Sequence, residues 1–452
     1  MLGHYENISG WGRTPQYQSK IFRPTSSAEL RSVVDSIAAN NENVIGRGLG
    51  RSYGDAAFLA GENVIDLNFL NRILDVNYDS GEILVESGVS LDSLMRIFVP
   101  KGYFVPVTPG TRYVTVGGAL ASDVHGKNHH IDGSISDHIS SFTLITENGQ
   151  TTVDKELNQE YFNATRGGMG LTGIIETVKL KLVPIETSYV NVHTTRVQNL
   201  EALIKTMKDT DDNYKYSVAW IDCLSKGQFL GRSVLTQAND ALLGDLDRSK
   251  IENARHFNTK SGLSIPFEFP ISPLNKATIK AFNTMWYFKT KKGETDSVEH
   301  FASFFHPLDG IGEWNRIYGK TGFTQYQFVV PDNKEAELIE IVELLAKKEV
   351  SSFLAVLKRF GPKNGGYLSF PTKGWTLALD IAIQAGLSEV LDQLDDLVVN
   401  ANGRVYFAKD ARVSPNHIHK MYPDIDKWRT VRNKLDPNRI FTSNLALRTK
   451  LI

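Results

Sequence analysis

At 452 residues the chain is too long for one ordinary core of about 100–200 residues, so two or three domains are expected. Its 41% hydrophobic and 22% charged content is that of a folded globular protein, and a net charge of −1 gives no global field to gather nucleic acid. The single Cys223 excludes an internal disulfide and a zinc ribbon, and no stretch approaches the roughly 18 uninterrupted apolar residues of a membrane span.

The N-terminal "MLGHYENISGWGRT" has no basic start followed by an apolar run. A cytoplasmic protein is expected, at most peripheral at the inner face of a membrane. "TSSAELRSVVDSIAANN" carries a Ser/Thr cap, Glu29 in its first turn and Leu30, Val33, Val34 and Ile37 at helical spacing, which predicts a helix. "NVIGRG" reads as a buried strand, and "NVIDL", "ILDV" and "EILVESG" as further short strands ahead of a helix in "SLDSLMRIFVPKG". A second glycine-rich stretch runs from Val116 to His130, and a third from Gly167 to Gly173 leads into the alternating "IIETVKLKLV". After Pro184 the texture changes to three strand, helix, strand units, beginning near Tyr189, Phe323 and Trp375. They read as one sheet covered by helices on one face, an α+β unit over 186–409, with a first domain over 1–185 and a C-terminal segment over 410–452 expected to return to that first domain.

Gly168, Gly170 and Gly173 satisfy GxGxxG, but the next segment alternates like a strand where a dinucleotide fold requires a helix. "IGRGLGRSYGD" at 45–55 opens no helix either, and no P-loop motif exists in the chain. That stretch is better read as a loop leaving a strand, in which glycine frees the backbone so that successive N–H groups converge on a pyrophosphate. In "VPVTPGTRYVTVGGALASDVHGKNHH", Thr111, Thr115, Ser122 and Asn128 offer short polar side chains, and Gly117 and Gly118 allow close approach of a flat ring. His125, His129 and His130 lack a cysteine or a carboxylate pair to complete a metal site, and Lys127 adds a cation, so no metal is expected.

Together with "GWGRT" at 10–14, "WNRIYG" at 314–319, "GFTQYQFVVP" at 322–331, "SFLAVLKRFGPKNGGYLSFPTKGW" at 352–375, "YFAKDAR" at 406–412 and "LDPNRIF" at 435–441, these passages carry a resemblance. The chain resembles the vanillyl-alcohol-oxidase and p-cresol-methylhydroxylase FAD-binding family, and within it the polyprenyl-phosphoryl-ribose 2-oxidases, nearly end to end. The resemblance implies an α+β, two-domain FAD-binding fold with an antiparallel-sheet cap over the flavin. It implies a pyrophosphate cradle of Arg47, Gly48, Leu49, Gly50, Arg51, Ser52 and Tyr53. Pro109, Gly110, Thr111, Val114, Thr115, Gly117, Gly118, Ser122, Asp123, His125, Gly126 and Asn128 would line the rest of the flavin, completed by Ile174 and Tyr406. Arg51 stands where many members carry a histidine that attaches the flavin, so FAD is expected to be non-covalent.

On the substrate side the resemblance implies Tyr53, His125, Lys127, Trp220, Gln325, Gln327, Lys358, Phe360 and Lys409 around a sugar. Lys409 is expected at the N1/O2 edge of the flavin, where a cation stabilises the reduced ring, with His125 or Tyr53 managing the alcohol proton. Two positions depart from the family pattern: Ala378 replaces a pocket cysteine and Thr376 an asparagine. The implied reaction is oxidation of a secondary sugar hydroxyl, at the 2-position of a polyprenyl-phosphoryl ribofuranose, by hydride transfer to flavin. A short-chain reductase would complete an epimerisation, and quinone or oxygen would take the electrons. An oxidase of a soluble sugar, alditol, sugar acid or aldonolactone is the alternative, and a flavin-binding protein without turnover is a second.

Overall fold

The computed structural model describes residues 2–257, 262–270 and 272–452. Helix Ser27–Ala39 begins where expected, with the Ser26 hydroxyl accepting the Glu29 N–H at 3.2 Å, and buries Leu30, Val33, Val34 and Ile37. It packs over a four-stranded sheet in the order His4–Ser9, Gln16–Phe22, Asn63–Asp66, Val44–Arg47, of which the last three run parallel. A second sheet is antiparallel: Ile73–Asn77, Glu82–Glu86, Ile174–Lys181, Ile139–Thr146, Gly149–Asp154. Val44, Ile65, Ile145 and Ile174 seal the two sheets together. The glycines at 168, 170 and 173 precede a strand, as their sequel's alternation requires.

The cap is one eight-stranded antiparallel sheet, ordered Glu294–His300, Tyr189–Val197, Ser233–Asp240, Tyr216–Ile221, Ser352–Phe360, Gly374–Ala382, Phe323–Pro331, Arg404–Val405. Helices Leu200–Thr210, Glu335–Lys347 and Leu387–Asn400 share a core with Phe328, Leu357, Leu377 and Leu379 from the sheet. Three features depart from the three-unit reading. Strand Ser233–Asp240 lies outside all three units yet pairs between Tyr189–Val197 and Tyr216–Ile221. Edge strand Glu294–His300, "ETDSVEH", is too polar to show the alternation that marks a half-buried strand. The last return strand is only Arg404–Val405, because the chain turns there and carries Tyr406 to Lys409 toward the first domain.

The C-terminal segment folds back onto that domain. Phe441 bridges in parallel to Val44, Trp428 Nε1 donates to the Ala164 carbonyl at 3.0 Å, and buried Arg432 pairs with Asp436 at 2.6 Å while donating to Leu171 O. The fold is α+β in two domains, with loops of the first domain meeting one face of the cap sheet.

Candidate active site

Strand Val44–Arg47 ends in the loop Gly48 to Ser52. Among the described residues, the backbone N–H groups of Gly48, Leu49, Gly50, Arg51 and Ser52 have no acceptor within the protein. Backbone donors are almost always paired in a folded chain, so five in succession form a ready anion site. The close packing of this loop requires glycine. A Cβ on Gly48 would lie 2.3 Å from Thr115 Oγ1, and Gly50 has φ +64 with its notional Cβ 2.3 Å from Arg47 Nη2. The loop's charges have separate tasks. Arg47 donates to Ser9 O at 2.8 Å and Ala57 O at 3.2 Å, so its side chain braces the loop. The Arg51 guanidinium lies 3.8 Å from the Trp11 ring centroid and 5.6 Å from that of Tyr113, and its buried Nε has no partner among the described residues.

The second glycine stretch contains a short helix, Val116–Ala121, whose Thr115 cap accepts the Gly118 N–H at 3.2 Å. Pro109, Gly110 and Val114 lie in the loop leading into it. Several side chains expected at the flavin are committed to holding this wall. Thr111 Oγ1 donates to Asp309 at 2.7 Å, and Asn128 donates to Pro106 O at 2.9 Å and to Asp132 at 2.6 Å. Asp123 accepts from Ser136 at 2.6 Å, from Asn364 at 2.7 Å and from Ser369, tying the loop to the cap. Ser122 O receives the Tyr406 hydroxyl at 2.7 Å, Gly126 packs on Asn128, and Ile174 lies under Gly46. The five free amides, the braced glycines and the unpartnered Arg51 Nε fit the pyrophosphate and polar parts of FAD.

Strand registry builds the opposite wall. Trp220 pairs with Val356, Val356 with Ala378 and Ala378 with Gln327; one step along, Lys358 pairs with Thr376, and Gln325 with Asp380. Side chains two apart on a strand share a face, so Trp220, Gln325, Gln327, Lys358, Phe360, Thr376, Ala378 and Asp380 all stand on one side of the sheet. The other side is the apolar face covered by the helices.

The two walls meet around Tyr53, His125 and Lys409. Tyr53 N–H donates to Ala408 O at 2.8 Å, which sets the two loops side by side, and Lys409 Nζ lies 4.0 Å from the Tyr53 ring centroid. The Gln325 amide donates to the Tyr53 hydroxyl at 3.2 Å and to Asp380 Oδ1, while Asp380 Oδ2 is buried and unpartnered among the described residues. Gln327 Nε2 donates to His125 Nε2 at 3.0 Å, and the imidazole is enclosed by Phe360, Phe370 and Tyr406 at 4.8, 5.5 and 5.2 Å.

These surroundings set the charges. Burial holds His125 well below the usual histidine range, reinforced by Lys358, so it is a neutral ring accepting at Nε2. Burial lowers Lys358 to about 8. Asp380 is raised by burial against the pull of Gln325 and Lys409, and Lys409 is lowered by burial against the pull of Asp380. Each member of this pair keeps the other's charged form accessible. The Lys127 ammonium donates to the carbonyls of Phe304 and Phe305, and burial, reinforced by the charge of Lys358, lowers it to about 7. His129 accepts the Gly361 N–H at 3.1 Å and packs on Phe360, and His130 Nε2 bonds Tyr214 O at 2.9 Å.

Two residues escaped the sequence reading. Asp380 interrupts "GWTLALDIA", a strand otherwise free of charge, and that interruption at two-residue spacing from Ala378 and Thr376 was the available signal. Arg448 gave none, because it works across nearly 400 positions. It bonds both oxygens of Asp55 at 2.9 Å and Asp410 at 2.9 Å, fastening the residues just after Tyr53 and Lys409 to the C-terminal helix.

Sequence comparisons agree with this geometry. An FAD binding domain model matches residues 19–154, and a D-arabinono-1,4-lactone oxidase model matches 320–449. The chain is 40% identical to decaprenylphosphoryl-beta-D-ribose oxidase of Mycolicibacterium smegmatis, over 99% of this chain and 98% of that one. It is 29% identical to the L-gulonolactone oxidase of Mus musculus over 98% of each, and 24% identical to the L-gulono-1,4-lactone dehydrogenase of Mycobacterium tuberculosis over 97% and 98%. The amide cradle, the cap wall and these similarities together place the chain in the family of FAD-dependent oxidoreductases, acting on CH–OH groups, that includes decaprenylphosphoryl-beta-D-ribose oxidase.

Proposed function

We propose that the protein oxidises the 2-hydroxyl of a polyprenyl-phosphoryl-β-D-ribofuranose to a ketone, as the first half of an epimerisation at that carbon. The observation that carries this reading is the convergence of Lys409, Asp380 and Tyr53 on one buried spot between the amide cradle and the polar face of the cap. When bound, FAD supplies the acceptor for the hydride leaving the carbinol carbon. The protein's part is to bind the sugar, exclude water and take the hydroxyl proton. The His125 Nε2 lone pair is already engaged by Gln327, which leaves Asp380 Oδ2 as the proton acceptor. Gln325 fixes the carboxylate and the Tyr53 hydroxyl relative to each other, so that hydroxyl can orient the sugar. Lys409 supplies positive charge where negative charge develops, in a site dry enough for that charge to count. Lys358 and Trp220 on the same face supply a cation and a flat surface for the phosphoryl sugar.

The 40% identity with a decaprenylphosphoryl-ribose oxidase over almost the whole chain supports this substrate class. A lipid-linked substrate implies work at a membrane surface, with a short-chain reductase to reduce the ketone and quinone or oxygen to collect the electrons. No helix among the described residues is long and apolar enough to cross a membrane. A soluble aldonolactone or alditol is the second reading, favoured by the lactone-oxidase match over 320–449, the stretch that carries Gln325, Gln327, Asp380 and Lys409. Anaerobic bleaching of the flavin decides between them. A short-chain polyprenyl-phosphoryl ribose should bleach it and gulonolactone or xylitol should not; the reverse pattern would replace the first reading with the second.

A further inference from the structure

Helix Lys276–Lys289, "KATIKAFNTMWYFK", has two unlike sides. Ile279, Asn283 and Tyr287, spaced by four, face inward; Asn283 donates to Asp222 at 2.8 Å, and Thr284 accepts from Arg232 at 3.0 Å. Outward, Met285 is 59% and Phe288 61% exposed, with Trp286 at 39% beside them. Ala281, Met285 and Phe288 follow one another along a single outward line. A lone exposed apolar residue is ordinary, but three large ones within four positions of one helix need a partner. Lys280, Lys289, Lys291 and Lys292 surround them, all exposed and none paired with an acid among the described residues. The sequence from 272 to 293 holds five lysines and no acidic residue. Large apolar side chains set in a lysine rim match a bilayer interface, where the chains enter the acyl boundary and the lysines meet anionic headgroups.

The helix is also joined to the rim of the active site. Leu274, two residues before it, packs with Tyr53, Tyr318 and Phe323, and Ser272 Oγ donates to Ile317 O at 3.1 Å. Fourteen helical residues extend about 21 Å from that rim, so the exposed turn and the site mouth are within one short reach.

We propose that the outward side of Lys276–Lys289, with Lys291 and Lys292, docks the protein on an anionic membrane surface and presents the mouth of the site to lipid-linked sugar held in that surface. The substrate half of this statement rests on the proposed function; the docking half does not. The test is co-sedimentation of the full-length, FAD-loaded protein with vesicles of phosphatidylcholine alone or mixed with phosphatidylglycerol. The wild type should bind the anionic vesicles about tenfold more tightly than the neutral ones, and added salt should release it. Met285→Ser with Phe288→Ser, and separately Lys289→Glu with Lys291→Glu and Lys292→Glu, should lose that binding. Both variants should keep the wild-type melting temperature and the bleaching rate with a soluble short-chain substrate. Wild type that stays in the supernatant, or variants that sediment as it does, would overturn the docking face. So would a wild-type dimer that these substitutions convert to monomers, since the patch would then be covered by a second copy. Vesicle binding by a protein that no polyprenyl-phosphoryl sugar bleaches would retain the docking face and remove the substrate reading.

Discussion

Asp380 and Lys409 sit within one buried group yet answer to different substitutions. Lys409→Ala removes the cation without disturbing the strands, and flavin reduction should fall by at least about a hundredfold with the fold retained. Near wild-type reduction in that variant would show its charge to be unnecessary. Asp380→Asn keeps shape and the bond from Gln325 but removes the proton acceptor, so reduction should fall by about 10²–10⁴. The sign of the pH dependence follows. The carboxylate must be ionised to accept a proton, and burial raises its pKa, so the wild-type rate declines as pH falls through that raised value. Asp380→Asn should lack this acidic limb, and a persisting limb would move the base elsewhere. Arg51, stacked on Trp11 where many relatives carry an attached histidine, predicts that acid precipitation leaves all the flavin in the supernatant. Yellow colour kept in the pellet would contradict non-covalent binding. At this scale the cradle was legible because glycine has no substitute in a loop whose neighbours stand 2.3 Å from a notional Cβ. Asn128 and Thr111 were readable as polar groups of that wall, and Asp123 came with the family resemblance, but the pairing of Thr111 with Asp309 and of Asp123 with Asn364 was not readable, since those partners lie in distant segments.

The strands and loops hold the site through a few long-range ties. Sequence periodicity located the strands at Phe323–Pro331 and Gly374–Ala382, and fixed which residues share a face once the register is known. Periodicity carries no register, so the meeting of Gln325 with Asp380 became visible only in the folded chain. The short return strand Arg404–Val405 shows the same limit, because a turn into a site is set by what it meets there. Arg448 is the clearest element-scale tie: Asp55 and Asp410 are buried, at 4% exposure each, and it neutralises both. Arg448→Ala leaves two buried carboxylates without their counter-charge, although Asp410 Oδ1 keeps the N–H groups of Arg412 and Val413, and should cost about 3–5 kcal/mol in a denaturant titration. A loss below about 1 kcal/mol would show that water replaces the guanidinium.

For the whole molecule, neutral buried imidazoles make stability fall in mild acid. His129 is lowered to about 3 by burial among Phe360 and the cations beside it, while an unfolded histidine titrates near 6.5. Between those values the unfolded chain binds the extra proton, so stability is lost as pH falls, by about 1.4 kcal/mol per unit for each such ring. His125 and His306 are shifted in the same direction. Holoenzyme melted by urea from pH 6.5 down to 5 should weaken, and His129→Asn should weaken less steeply; equal slopes would show that the ring charges without penalty. The two-part organisation was legible from glycine clusters giving way to strand, helix, strand units. The return of 410–452 to the first domain was expected as a whole, but the partners of Trp428, Arg432 and Phe441 were not readable, since those bonds span more than 260 positions. Hydride loss from C2 of the ribose is read out by stopped-flow flavin reduction with polyprenyl-phosphoryl ribose deuterated at C2 or at C3. Deuterium at C2 alone should slow bleaching several-fold. A full-speed reaction with the C2 label and a slow one with the C3 label would place the hydride elsewhere and contradict the assignment.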